Sequence, residues 1–393
     1  MSDIISSYLN YTNNKLYSPA KRIGKLLTQE FKADPHFYFF SPDETTSNKF
    51  DEIFGEESRA WNLLIETWDL PENENGRIVE MLSENVLFST MTGHIMNGEQ
   101  AMMGSYEAFF SVISSQILQQ IKFFKQCNQV SWRPKYPAIN LLSTSTCWRQ
   151  DPNGFTHQSP ALISTLLAHP SNLTNCLFPV DDNAAEAAYH FMLQSENVVN
   201  LTTFNKIDEP RFLSQEEANQ EIENQGTIIL NQYSDHDPDV VFVGIGDIMT
   251  KELIEAVKIL RQDIPGIKIR IVNIAALSYR AIGTTKNKLD KNAFTEIFTA
   301  DQPIIANFHG YPETFETILE NYTNRGRIRV HGFIEEGSTT TPFEMLTRNA
   351  ASRFDIAMDV AKYLKSENLY KKYQQQIFDN HAYAIKNGID LIK

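Results

Sequence analysis

The chain has 393 residues, 42% hydrophobic and 21% charged, a composition that suits a folded protein with core enough for two or three domains. Its formal net charge of −14 argues against a general nucleic-acid or acidic-membrane binder, and any phosphate-bearing ligand must find local cations. No apolar stretch approaches the length of a membrane span, and Met1-Ser2-Asp3 opens no basic-then-apolar leader, so a cytoplasmic protein is expected. The three cysteines, Cys127, Cys147 and Cys176, form neither a CxxC pair nor a zinc spacing and read as reduced thiols.

Residues 1–50 read as a polar, partly helical lead-in ending in the loop Ser41-Pro42-Asp43-Glu44-Thr45-Thr46-Ser47-Asn48-Lys49. From about residue 78, apolar strands alternate with helical patterns. Ile78–Leu82 is a strand, Phe109–Phe124 an amphipathic helix, Ala138–Leu142 a strand and Ala184–Gln194 a helix. Residues 207–236 are polar and acidic and read as a linker. Beyond it strands are expected at Asp239–Val243, Lys268–Val272, Pro303–Ala306 and Arg327–Val330, with helices at Lys251–Arg261, Glu344–Leu364 and Tyr370–Lys386. Alternation on both sides of the linker predicts an α/β protein of two domains with parallel-dominated sheets, at 51–206 and 237–393.

The richest run in the chain is Cys147-Trp148-Arg149-Gln150-Asp151-Pro152-Asn153-Gly154-Phe155-Thr156-His157-Gln158. Pro152 removes a backbone donor and Asn153-Gly154 favours a turn, so the run is a loop. Gln150, Asn153 and His157 converging on such a loop suit a polar substrate and proton movement. Elsewhere, Glu84 follows a strand-like run, a place where a lone glutamate is ordinarily just solvated. Lys206 near a strand end is equally well read as a solvated lysine. The turn Gly244-Ile245-Gly246-Asp247, with Asn273 downstream, is similar to a diphosphate-and-metal motif. Ile248 stands where a glycine would be needed, so a structural strand-to-helix turn is the better reading. The threonines before Pro342 and Glu344 suit a helix N-cap.

The loop run resembles the substrate loop of the phosphoketolases, thiamine-diphosphate enzymes that split ketose phosphates with inorganic phosphate. Further runs agree in order: Arg77-Ile78-Val79-Glu80-Met81-Leu82-Ser83-Glu84, Ser105-Tyr106-Glu107-Ala108-Phe109, Asn307-Phe308-His309-Gly310-Tyr311-Pro312 and His331 through Met345. The resemblance implies thiamine-diphosphate-enzyme domains, a pyrimidine-binding one followed by a C-terminal one. It implies that Glu84 meets the aminopyrimidine ring of thiamine diphosphate and that Tyr106 stacks on it. Gln150, Asn153 and His157 would then hold the ketose hydroxyls, and Ser47, Lys49 and Lys206 the substrate phosphate.

The resemblance covers the second half of a phosphoketolase. The Mg²⁺ ligands and the diphosphate cradle belong to the other half, so no metal site is expected in this chain. Positions also differ: Pro152 stands for a family His, Lys49 for an Arg and Asn85 for a His. Arginine grips phosphate as a rigid fork, whereas lysine is a point charge. Two readings follow. In one, the chain is the C-terminal component of a phosphoketolase, completed by a separate N-terminal subunit in a homodimeric or two-chain assembly. In the other, it is an inactive paralogue or fragment serving as an interaction partner.

Overall fold

The computed structural model describes residues 15–69, 72–149, 154–337 and 340–392. It divides into two units, one of residues 1–145 and 171–223, the other of residues 146–170 and 224–393. The excursion 146–170, which includes the loop run, thus belongs to the second unit.

In unit one the strands are β1 (Tyr38–Ser41), β2 (Arg59–Ala60), β3 (Glu72–Asn73), β4 (Ile78–Glu80), β5 (Ala101–Tyr106), β6 (Ile139–Thr144), β7 (Thr174–Leu177) and β8 (Val199–Thr203). They lie in the order β7-β8-β6-β5-β1-β4-β2-β3, and neighbours run parallel. Buried on both faces, β6 and β8 carry near-continuous burial rather than alternation, as parallel strands between helices do. Three buried asparagines share one register across this sheet. Asn200 on β8 donates to Asn140 on β6 and accepts from Asn175 on β7, both at 2.8 Å. The lead-in is built into this unit: helix Pro19–Ala33 starts at the Ser18 cap, and β1 lies between β5 and β4.

Unit two has a five-stranded sheet in the order β15-β14-β10-β11-β9. Its strands are β9 (Thr227–Ile229), β10 (Val240–Ile245), β11 (Ile269–Ile274), β14 (Ile304–Phe308) and β15 (Ile328–His331), with β9 alone antiparallel. β12 (Ala276–Ser278) and β13 (Ala281–Ile282) form a small antiparallel pair. Both units are therefore α/β with parallel-dominated sheets. Among the described residues no helix is long and apolar enough to cross a membrane.

Several local expectations change. The acidic stretch 207–236 carries structure, namely helix Gln215–Glu223 and strand β9, and the division between the units falls inside it. The helix expected over Phe109–Phe124 begins as a 3-10 segment, Glu107–Ile113, before helix Ser114–Cys127. The single helix expected at Glu344–Leu364 is two, Pro342–Arg348 and Arg353–Tyr363. Asn349 ends the first by turning its amide onto the Met345 carbonyl, Ala350 takes a positive φ of 52°, and Ser352 with Asp355 forms a capping box for the second. Thr341 does occupy the N-cap position, but its hydroxyl donates to Asp390 instead of capping. Asp390 does the capping, accepting the Phe343 N–H at 2.8 Å.

Candidate active site

In a parallel sheet, ligands gather beyond the carboxyl ends of the strands. In unit one that edge is formed by the turn after β1 and the ends of β5 and β6. Ser41 accepts the Glu44 N–H, Asp43 takes a positive φ of 60°, and the chain curls so that Asn48 N–H and Ser47 Oγ both donate to the Glu44 carbonyl. Thr144, the last residue of β6, pins this curl by donating to Asn48 Oδ1 at 2.5 Å. The turn thereby swings Glu44 inward, leaving it 8% exposed.

Tyr106 closes the arrangement from the end of β5. Its N–H donates to Glu44 Oε2 at 2.9 Å and its hydroxyl to Ser47 Oγ at 2.8 Å. Its ring stacks on Phe109 with centroids 5.9 Å apart, and the Lys206 ammonium lies 4.7 Å from its centroid. Glu84 is the first residue of helix Glu84–Met96, started by the Ser83 cap just after β4. The positive end of that helix favours its carboxylate.

The charges are coupled. Burial pushes the Glu44 carboxyl up to about 7, and the nearby Glu84 charge adds to the rise, against the hydrogen bond from the Tyr106 N–H and the nearby polar Ser105 and Asn48 side chains. Burial lowers the Lys206 ammonium, with Lys49 pushing the same way and Glu44 opposing. Lys49 is near enough to Lys206 to act on its charge, and four residues singled out in the sequence, Ser47, Glu84, Tyr106 and Lys206, thus lie around Glu44, which the sequence reading left in a polar loop. Its only signal is an acid directly after a Ser-Pro-Asp turn, where periodicity says nothing about direction. A carboxyl near pKa 7 between a second carboxylate, two ammonium groups and an aromatic platform can exchange protons at neutral pH.

Of the other named residues, His157 lies on unit two. His157 ends the short 3-10 turn Gly154–His157, and its Nδ1 pairs with Thr156 Oγ1 at 2.9 Å. Gln150 and Asn153 lie outside the described residues. The loop is anchored by Trp148, whose Nε1 donates to the His309 carbonyl at 2.8 Å. The glycine turn after β10 is structural: Gly246 has φ 104°, and a Cβ on Gly244 would lie 2.3 Å from Thr250 Oγ1. Asp247 accepts the Ile248 N–H and Asn273 accepts the Thr250 hydroxyl, so both polar side chains serve the turn.

Comparison with known proteins places this geometry. The family model described as D-xylulose 5-phosphate/D-fructose 6-phosphate phosphoketolase matches residues 21–195, and the model of its C-terminal domain matches residues 206–393. A probable phosphoketolase of Methylococcus capsulatus is 32% identical over 382 residues, covering 94% of this chain and 47% of that protein. Probable phosphoketolase 1 of Nostoc sp. is 35% identical over 373 residues, covering 90% of this chain and 46% of that protein. The chain therefore spans about half the length of the curated relatives it matches. Among solved structures, transketolase of Pichia stipitis in complex with sedoheptulose-7-phosphate superposes with a TM-score of 0.68 at 16% identity, covering 89% of this chain and 46% of that one. A split-gene transketolase described as an inactive beta4 tetramer gives 0.60 at 17% identity, covering 89% of this chain and 99% of that one. The transketolase likeness fixes the fold, and the sequence matches fix the lineage: the chain belongs to the phosphoketolase family.

Proposed function

We propose that this chain is the C-terminal component of a cytoplasmic, thiamine-diphosphate-dependent phosphoketolase that cleaves xylulose 5-phosphate or fructose 6-phosphate with phosphate to give acetyl phosphate. A separate chain supplies the diphosphate-binding half and its Mg²⁺. The observation that carries this reading is the convergence of Glu84, Tyr106, Ser47 and Lys206 around Glu44, with Lys49 beside Lys206. The end-to-end match to a split-gene transketolase chain supports a two-chain or homo-oligomeric assembly. Three buried cysteines, none of them in a disulfide, fit a reducing compartment.

The residues fit the pyrimidine end of the cofactor. An aminopyrimidine needs a carboxyl group for its ring nitrogen and an aromatic face, and Glu84 and the Tyr106–Phe109 pair offer both. Thiamine diphosphate, when bound, supplies a carbon acid that serves as an electron sink for cleavage next to a carbonyl. Glu84 would hold a proton at the ring nitrogen. Ser47, Lys49 and Lys206 would meet the substrate phosphate, and Gln150, Asn153 and His157 the ketose hydroxyls, with His157 relaying protons. The division of labour follows the units: the first, 1–145 with 171–223, faces the cofactor, and the second carries the C-terminal domain together with the 146–170 excursion.

The test is acetyl phosphate formation from a ketose phosphate by this chain mixed with a diphosphate-binding phosphoketolase chain. Activity of the mixture with none from either chain alone is the expected result. By calorimetry, the isolated chain should bind thiamine diphosphate and Mg²⁺ more weakly than micromolar, since the diphosphate is the cofactor's main anchor. An inactive paralogue is the second reading, favoured by Pro152 and Lys49 in place of a family His and Arg. A mixture without turnover would select it.

A further inference from the structure

Glu80 is the last residue of β4 and stands level with Ser41, where the curl carrying Glu44, Ser47 and Lys49 begins. The Met81 N–H donates to the Ser41 carbonyl at 3.2 Å, so the two backbones stay joined at that level. The Glu80 side chain is only 7% exposed. A carboxylate so far from water needs partners for its oxygens. Its two oxygens turn to different elements. Oε1 accepts the Thr45 N–H at 3.3 Å, one residue past Glu44. Oε2 accepts the Arg59 Nε–H from β2. The Thr45 carbonyl in turn accepts the Phe50 N–H at 3.0 Å, which closes the curl behind Lys49.

Arg59 is fixed in its own right. β2 pairs with β4 at Arg59–Ile78 and with β3 at Arg59–Glu72. The Arg59 Nη1 lies 3.5 Å from the Glu72 carboxylate, and the guanidinium carbon lies 4.1 Å from the Phe54 ring centroid. Gly76 lets the neighbouring backbone close up on it: a Cβ there would lie 2.4 Å from the Arg59 carbonyl oxygen. A planar fork held in this way presents its Nε–H in one direction. The carboxylate that it meets is held as well, and so is the amide next to Glu44. An apolar pair would join β2 to β4 equally well. The carboxylate is what the Thr45 N–H needs.

Resting on the phosphoketolase reading, we propose that Glu80 and Arg59 are positioning residues for the phosphate end of the substrate site. Glu80 fixes the curl through Thr45, and Arg59 fixes Glu80. Ser47 and Lys49 are thereby held ready for the substrate phosphate. Slack in this brace is read out in binding of the phosphate-bearing substrate before it is read out in the chemical step.

Hydrogen–deuterium exchange of the peptide spanning 44–50 tests the brace without any cofactor. Glu80→Ala should raise exchange at the Thr45 amide about tenfold, the effect of one lost hydrogen bond. Arg59→Lys keeps the charge but loses the fork, and should raise it about threefold. Glu80→Gln should stay close to the parent, because its amide oxygen still accepts the Thr45 N–H. Thermal unfolding serves as the control for folding, and if Glu80→Ala does not fold, Arg59→Lys decides alone. In the reconstituted enzyme Glu80→Ala should raise KM for the ketose phosphate about tenfold with kcat within about threefold of the parent, and Glu80→Gln should recover most of the KM. Unchanged exchange in both Glu80→Ala and Arg59→Lys overturns the brace. Raised exchange with a parental KM, or with a fall in kcat alone, overturns the positioning role. A parent pair without turnover sinks the phosphoketolase reading instead, and exchange alone then decides whether the brace exists.

Discussion

Glu44 in unit one and Glu252 in unit two are both buried carboxylates, and their surroundings differ in kind. Glu252 is held by a matched guanidinium: Arg353 donates to it at 2.6 and 3.0 Å, and the Arg353 backbone N–H adds a bond at 2.8 Å. Glu44 has no cation within ion-pair distance among the described residues. It accepts one backbone N–H while facing a second carboxylate. A buried carboxylate with a fitted partner locks two helices together. One left with half its electrostatic compensation holds a proton that it can release near neutral pH. Burial alone does not mark a functional acid; incomplete pairing does.

The largest expected effect tests the chemistry on the unit-one side. If Glu84 is the carboxyl that serves the pyrimidine, Glu84→Gln should lower turnover of the reconstituted enzyme by about 10²–10⁴-fold, with the circular dichroism spectrum unchanged. A fully active Glu84→Gln would make this cluster a scaffold for another chain's chemistry. On the unit-two side, Arg353→Ala should destabilise by about 3–5 kcal/mol, because it strands a buried charge. Replacing the pair, Glu252→Leu with Arg353→Met, should recover most of that in urea unfolding. A mild single variant would erase the contrast drawn here.

Glu44 sharpens it further. Its folded pKa of about 7 lies above the ordinary value of 4.5. Between those values the folded protein keeps a proton that the unfolded chain releases, so stability falls as pH rises through that window and stays lower above it. Glu44→Gln should remove this slope and add about 1–3 kcal/mol at pH 8, with little change at pH 4. Parallel stability profiles for parent and variant would mean that Glu44 is as fully compensated as Glu252. The smallest effect is Asp390→Ala, which takes the acceptor from Phe343 N–H and Thr341 Oγ1 and should cost about 1 kcal/mol.

Much of this was legible in the sequence wherever a rule is local. In unit two β10, β11, β14 and β15 stood out as apolar runs, in unit one only β4 and β6, and the Gly246 turn was readable because φ above zero leaves few choices. Long-range placement was not legible. Nothing in residues 146–170 announces that they leave the unit that precedes them, since the evidence is a partner such as the His309 carbonyl that accepts the Trp148 indole N–H, 161 residues on. Helix Gln215–Glu223 was hidden by its acidic surface, although Ala218 and Ile222 are buried. The break after Arg348 depends on where the Asn349 amide turns. Ser47, Lys49, Glu84, Tyr106 and Lys206 were found through family motifs, whereas Glu44 required the turn geometry.

The asparagine ladder in unit one has a consequence for how the chain is made. Asn200 joins Asn140 to Asn175, and β8, which carries Asn200, emerges from the ribosome after both β6 and β7. A nascent chain that stops short of β8 leaves two amides facing an apolar sheet with no middle rung. The central strand is thus the last of the three to be synthesised, and until it arrives β7 has no earlier strand to set its register. Vectorial synthesis should therefore deliver this half of the sheet as a late, all-or-none closure, and a translational pause before residue 199 would hold the chain in its most adhesive state.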